Sequence, residues 1–139
     1  MGAWTELTVD TVVNASPTDI GTLYRSWVDA NPSKANRLRE IVAETVAIFR
    51  EAVAANPACE VDPNPDLVPT TGFRHALNYV IFNLGMEMGV QFAPEVYALT
   101  TRADIWLRMV QGGTINPVVP VGEASSPSYR NPERMRWLC

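Results

Sequence analysis

The most apolar run of the chain, residues 71–90, predicts a central helix. At 100° per residue, apolar side chains recur on one face at spacings of three and four, as in helices that pack against a core. That face comprises Phe73, Leu77, Val80, Ile81, Leu84 and Met88. A second stripe lies nearly opposite and comprises His75, Tyr79, Phe82, Met86 and Val90. We therefore expect this helix to be covered twice, either by other helices of the chain or by a neighbouring subunit.

Two helices are predicted before the central one. Ser16-Pro17-Thr18-Asp19 has the residue order of a helix start, and Asn31-Pro32 ends that helix because the residue before a proline is disfavoured in the α region. The next helix covers residues 33–56, with Glu40, Glu44 and Glu51 on a solvated face. Its inner stripe comprises Leu38, Ile41, Val42, Thr45, Val46, Phe49 and Val53.

The remaining segments are one more helix and three irregular regions. Residues 4–13 are rich in β-branched types and predict a short strand or extended arm, whereas residues 57–69 contain four prolines and predict a loop. A last helix begins at Pro94 and ends at Gly112-Gly113. Its inward residues are predicted to be Val96, Leu99, Thr100, Ala103, Trp106, Leu107 and Val110.

This pattern predicts an all-α fold: a small bundle of about four helices with an extended N-terminal segment, a proline-rich loop and an extended C-terminal arm. Residues 1–121 form the helical domain and residues 122–139 the arm. The apolar share of 47% and the charged share of 19% are typical of one globular domain.

Charge and composition restrict the partners. The formal net charge of -4 argues against a general nucleic-acid binder, which needs several Lys and Arg contacts to phosphates. No secretory leader or run of membrane-spanning length is evident, so we expect a soluble, cytoplasmic protein without a membrane partner. Cys59 and Cys139 match no metal-site spacing, and we expect both to be free thiols.

No pattern of catalytic residues is recognisable. The single histidine, His75, lies within an apolar helix, and neither a nucleophile elbow nor a glycine-rich phosphate loop is present. Glu60, Asp62 and Asp66 lack the glycine turn and bidentate glutamate of a calcium loop. We therefore expect no enzymatic activity, no cofactor and no metal. A helix-turn-helix is disfavoured, because the connection between the second and third helices is long and proline-rich.

The order of short features along residues 4–121 is informative. Trp4 precedes an extended segment, and residues 46–53 end a long helix with an arginine, Arg50. Val68-Pro69 then precedes an apolar helix, and residues 102–112 close the pattern before a proline. In this order the chain resembles the head-to-tail connectors of tailed bacteriophages, of the adaptor or head-completion type.

The resemblance implies a non-enzymatic virion protein of the phage neck, present in the host cytoplasm during assembly. In the family, twelve copies form a ring beneath the portal protein, continue the DNA channel and dock the next neck or tail protein. DNA would be only passing cargo. His75, Tyr79, Phe82 and Met86 are then candidates for the contact between subunits.

The C-terminal arm is a candidate for partner binding, because Trp, Tyr and Arg dominate interface hot spots. Its candidate residues are Tyr129, Arg130, Arg134, Arg136 and Trp137. The alternative is a tail without fixed structure. Two other functions remain open: a phage stopper or tail-completion protein, and a non-viral helical interaction or regulatory module.

Overall fold

The computed structural model describes residues 3–15 and 20–117 of the chain, and these residues form a mostly helical fold. Five α-helices and a two-stranded antiparallel sheet are present among them. The helices are α1 (Val9–Ala15), α2 (Ile20–Ala30), α3 (Arg37–Ala54), α4 (Phe73–Met88) and α5 (Pro94–Gln111). The strands are β1 (Trp4–Glu6) and β2 (Leu67–Pro69). The predicted all-α class is confirmed, with four long helices and one short one.

The core lies where α4 packs between α3 and α5. All seven residues of the predicted inner stripe of α3 are buried, as are Leu77, Val80, Ile81 and Leu84 on α4. Phe49 is fully buried. Burial of one such large apolar side chain stabilises a fold by roughly 1.5–3 kcal/mol, so these two stripes supply most of the driving force for packing.

The N-terminal segment differs from its prediction. Only Trp4–Glu6 is a strand, and Val9–Ala15 is helical. Thr8 begins this helix: its Oγ1 accepts a hydrogen bond from the backbone N–H of Thr11 at 3.2 Å, as a helix N-cap does. The turn buries Val12 against the core, and this gain outweighs the preference of β-branched residues for strands.

The start of α3 is held by Tyr24 on α2. The Tyr24 hydroxyl lies 2.8 Å from the carbonyl oxygens of Lys34 and Ala35 and accepts from the backbone N–H of Leu38 at 3.2 Å. A 3-10 turn, Pro32–Lys34, therefore separates α2 from α3, and α3 begins four residues later than predicted. Along α2, Ile20 is buried but Leu23 is 41% exposed.

The turn between α4 and α5 depends on two glycines. Gly89 has a φ of 77°, a left-handed conformation that glycine adopts without steric cost, and ends α4. Gly85 gives space to Phe92, because a Cβ there would lie 2.1 Å from Phe92 Cζ. The chain therefore folds back tightly over the end of α4 before α5 begins.

Helix α5 is buried mainly in its second half. Ala103, Leu107 and Val110 are buried, as predicted, whereas Leu99 is 36% exposed. The first two turns of α5 contain no buried residue, so they lie at the edge of the fold, where few elements cover them. The inward position predicted for Leu99 is therefore wrong.

Cys59 is half-buried and engaged in a disulfide, so the expectation of a free thiol is wrong for this residue. Cys139 lies outside the described residues, as do the predicted helix start at Ser16 and the whole predicted arm, including Tyr129, Arg130, Arg134, Arg136 and Trp137. No helix in the described part of the chain has both the length and the apolar character needed to cross a membrane.

Candidate functional site

Three of the short features noted along the sequence, Trp4, Arg50 and Val68-Pro69, meet in one cluster around Arg50. The Arg50 guanidinium donates to the carbonyl oxygen of Leu67 at 2.9 Å and to that of Asp62, and it lies 5.5 Å from the centre of the Trp4 ring. Trp4 on β1 pairs with Pro69 on β2. This Arg50 cluster (Trp4, Arg50, Asp62, Leu67 and Pro69) thus joins the N-terminus, α3 and the end of the proline-rich loop.

The fourth feature, residues 102–112, contributes Trp106 to the centre of the helical core. Its ring stacks on Phe49 at 5.7 Å between centroids and lies 5.6 Å from the His75 ring. Gly72 lies against the same ring, since a Cβ there would be 2.4 Å from Trp106 Cη2. Trp106 therefore links α3, α4 and α5.

The predicted subunit-contact residues differ in their surroundings. His75, Tyr79 and Phe82 are half-buried, and each contacts an aromatic side chain of the same chain. Tyr79 meets Phe49 edge to face at 6.2 Å. Burial lowers the pKa of His75, because it disfavours the charged imidazolium.

Phe82 and Met86 lie at the outer end of this stripe. Phe82 stacks on Phe92 at 5.7 Å and meets Tyr97 edge to face at 5.4 Å. Met86, one turn further along α4, is 51% exposed. Helix α5 thus covers part of the second stripe and leaves its end open. That the four residues lie at a subunit contact stays a prediction.

Sequence reasoning missed an apolar stripe on the outward side of α5. Tyr97, Thr101, Ile105 and Met109 recur once per turn, and we call them the α5 stripe. Tyr97 is 44% exposed and Ile105 47% exposed. Thr101 donates its hydroxyl to the carbonyl of Tyr97 at 3.1 Å, so its polar group is satisfied within the helix. The spacing of four is readable in the sequence, whereas the prediction for α5 concerned its inward side.

A groove runs between α3 and the segment that joins β1 to α1, and we call it the α3 groove. Its volume is about 600 Å³. The apolar lining includes Leu7 and Val9 on one side and Val42, Val46 and two exposed alanines of α3 on the other. Charged residues line it as well: Glu6, Arg39, Arg50, Glu51 and Asp66. The groove is thus apolar inside and charged at its edges.

A second charge cluster ties the start of α3 to the end of α4. Arg37 donates to Glu87 through Nη2 at 2.6 Å and also pairs with Glu40 and Glu44. The hydrogen bond from Arg37 lowers the pKa of Glu87, and the same partners raise the pKa of Arg37. Glu40 and Glu44 are about 60% exposed, so the acidic face of α3 is solvated.

Polar groups in the interior support the fold. Thr45 donates to the carbonyl of Ile41 at 2.8 Å, and Asn56 contacts Asn116 at 3.2 Å and the N–H of Ala58 at 3.0 Å. Within residues 3–15 and 20–117, no group of three or more His, Cys, Asp or Glu residues is placed to hold a metal ion.

Comparisons of the chain with protein-family models, with curated proteins and with solved structures found no match.

Proposed function

We propose that this chain is a structural protein of a phage neck, which forms a ring that joins the portal protein to the tail and continues the DNA channel. The observation that carries the proposal is the Arg50 cluster. Trp4, Arg50 and the Val68-Pro69 segment are far apart in sequence, yet they form one packed unit. The features whose order along the chain resembles that of an adaptor protein therefore also contact one another in the folded chain.

Exposed apolar side chains favour the assembly of several copies of the chain. Met86, Tyr97 and Ile105 are each more than 40% exposed, and ring closure would remove such side chains from water. A closed ring uses a head-to-tail contact, in which one surface of a copy meets a different surface of the next. The α5 stripe and Met86 supply one of these two surfaces.

The charge distribution suits a channel through which DNA passes without binding tightly. The formal net charge is -4, and a ring of such subunits repels a phosphate backbone more than it attracts it. The buried polar groups Thr45 and Asn56 satisfy backbone and side-chain partners of the fold itself. The negative net charge and the hydrogen-bonded interior polar groups both support a structural role without a cofactor.

The C-terminal arm is proposed to contact the partner protein. Its candidate residues are Tyr129, Arg130, Arg134, Arg136 and Trp137. An aromatic and arginine-rich segment gains affinity when it packs onto a partner surface. We propose the portal protein or the next neck or tail protein as that partner.

Binding to assembled portal rings tests the proposed function. Portal protein encoded by the same genome is immobilised, and the full chain is compared with a chain that ends at Ser128 and with the Ile105→Ser variant. The full chain should be retained and released by excess soluble portal. Loss on deletion assigns the contact to the arm, and weaker retention of Ile105→Ser shows that neighbouring copies cooperate. A full chain that never binds portal contradicts the proposal and is the behaviour of a cellular helical interaction module.

A further inference from the structure

We propose that the α3 groove binds the C-terminal segment of this same protein, residues 129–139, which carries two aromatic residues and three arginines. This inference does not depend on the proposed role in a phage neck: it concerns the free chain, whereas the partner contact proposed for the arm forms on assembly. It assigns a ligand to the groove and a docking place to a segment that lies beyond the described residues.

The shape and lining of the groove suit an aromatic side chain. Its volume is about 600 Å³, and Val42 and Val46 lie at the base next to Ala43 and Ala47, which are exposed. Small side chains on the outward side of α3 create the space. A Tyr or Trp ring buries roughly 150–250 Å² of its own surface when covered, which favours its transfer from water into an apolar groove. Tyr129 and Trp137 both lie within the proposed segment.

The charges at the edges of the groove favour a basic segment. Glu6, Glu51 and Asp66 are exposed, and none of them makes an ion pair with another described residue. The guanidinium of Arg50 is engaged by the carbonyls of Asp62 and Leu67, which leaves Arg39 as the exposed cation of the lining.

The segment supplies the complementary charges. Residues 129–139 contain Arg130, Arg134 and Arg136 against one acid, Glu133. The three arginines of the segment equal in number the three exposed carboxylates of the groove, and arginine is the side chain best suited to pair with carboxylates in a fixed geometry. An acidic peptide or a nucleic acid would meet three exposed carboxylates against one exposed cation, Arg39, and is disfavoured.

The last described residue, Pro117, is tied to the turn that follows β2. The carbonyl of Pro117 accepts a hydrogen bond from the Thr71 hydroxyl at 2.9 Å. Thr71 follows β2 closely, and β2 begins at Leu67, whose carbonyl binds the groove residue Arg50. Residues 118–128 can span roughly 36 Å when extended, so residue 129 can reach the groove.

Site-specific photo-cross-linking in the full chain tests this contact. p-Benzoylphenylalanine replaces Trp137, and the cross-linked peptides are identified by mass spectrometry in reducing buffer, so that no disulfide imposes the contact. Cross-links should fall on the two sides of the groove, within residues 6–9 and 39–51. In a mixture of isotope-labelled and unlabelled chains, the mass of the product shows which copy supplied the segment. We expect the same copy, and cross-links that form only between copies would overturn the assignment.

A matched pair of variants makes the test specific. Ala47→Arg fills the groove and adds a cation, whereas Ala54→Arg places the same side chain on an exposed position of α3 outside the groove. Arginine is well tolerated in helices, so both variants should fold. We expect Ala47→Arg to lower the cross-linked yield at least tenfold and Ala54→Arg to leave it unchanged. Cross-links on the α5 stripe, their absence, or equal yields from the two variants would overturn the proposal.

Discussion

Arg50 holds three separate parts of the chain through one side chain. Its guanidinium satisfies two carbonyl groups of the 62–67 segment and lies over the Trp4 ring. The sequence placed an arginine near the end of a long helix, but its partners could not be read from it. These partners are the backbone carbonyls of Asp62 and Leu67 and the ring of Trp4. The periodicity of apolar residues gives no information about such contacts.

Replacement of Arg50 should destabilise the fold. Arg50→Ala leaves two carbonyls of the loop without a donor and removes the contact with Trp4, so we expect a loss of about 2–3 kcal/mol in the free energy of unfolding. The free energy of unfolding of Arg50→Lys should lie between those of the wild type and Arg50→Ala, because one ammonium group cannot donate to both carbonyls as the forked guanidinium does. Urea denaturation measures both, with exposed Arg39→Ala as the control. Equal midpoints for Arg50→Ala and Arg39→Ala would show that the Arg50 cluster does not stabilise the fold.

The Arg37–Glu87 ion pair predicts that the stability of the fold depends on pH. Arg37 lowers the pKa of Glu87 below its ordinary value of 4.5, whereas the unfolded carboxyl binds a proton near that value. Because the unfolded state binds more protons in this range, the stability from the pair is present above about pH 4.5 and is lost as the pH falls through the lowered folded pKa.

Glu87→Gln should therefore reduce stability near neutral pH and not in acid. The pair is partly exposed, so the expected loss is about 0.5–1 kcal/mol at pH 6.5. Urea midpoints of wild type and Glu87→Gln at pH 6.5, 4.5 and 3.5 measure the difference, which should shrink as the pH falls. Glu60→Gln, on an exposed loop residue, serves as the control. A difference that stays constant with pH would contradict the assignment to the charged pair.

At the scale of elements, the inner faces of α3 and α4 were predictable, since each depends only on apolar residues recurring at helical spacing. Helix α1 was missed because its seven residues are dominated by β-branched types and its start depends on the Thr8 cap. The exposure of Leu99 was not predictable either. It depends on how far α5 extends beyond its neighbours, a property of packing and not of the residue pattern.

Phe82 and Met86 lie one turn apart on α4. Substitution of each residue distinguishes a role in core packing from a role in assembly. Phe82 stacks on Phe92 within the chain, whereas Met86 is 51% exposed. We expect Phe82→Ala to cost about 1–3 kcal/mol, less than the loss for a fully buried aromatic residue, and Met86→Ala to leave stability unchanged. Thermal unfolding measures both.

The same pair of variants locates the subunit contact. In sedimentation of the chain at high concentration, Met86→Ala should weaken self-association. If Met86→Ala assembles as the wild type does while Phe82→Ala only unfolds at lower temperature, the second stripe of α4 belongs to the subunit core and not to an interface.

At the scale of the molecule, residues 3–15 and 20–117 present two unlike surfaces on a small helical core. One is apolar and consists of the α5 stripe with Met86; the other is the α3 groove, apolar inside and mainly acidic at its edges. The apolar and charged residues of both were visible in the sequence. Their grouping was not, because each surface combines residues from elements that meet only in the folded chain.

Light scattering on the purified chain with and without portal rings tests the connector function most directly. Alone at low concentration, the chain should be a small species. With portal rings it should join them in a fixed ratio, one copy for each portal subunit, and the added mass should saturate. A chain that remains separate from portal rings at every concentration, with an unchanged mass, would contradict the function proposed for it.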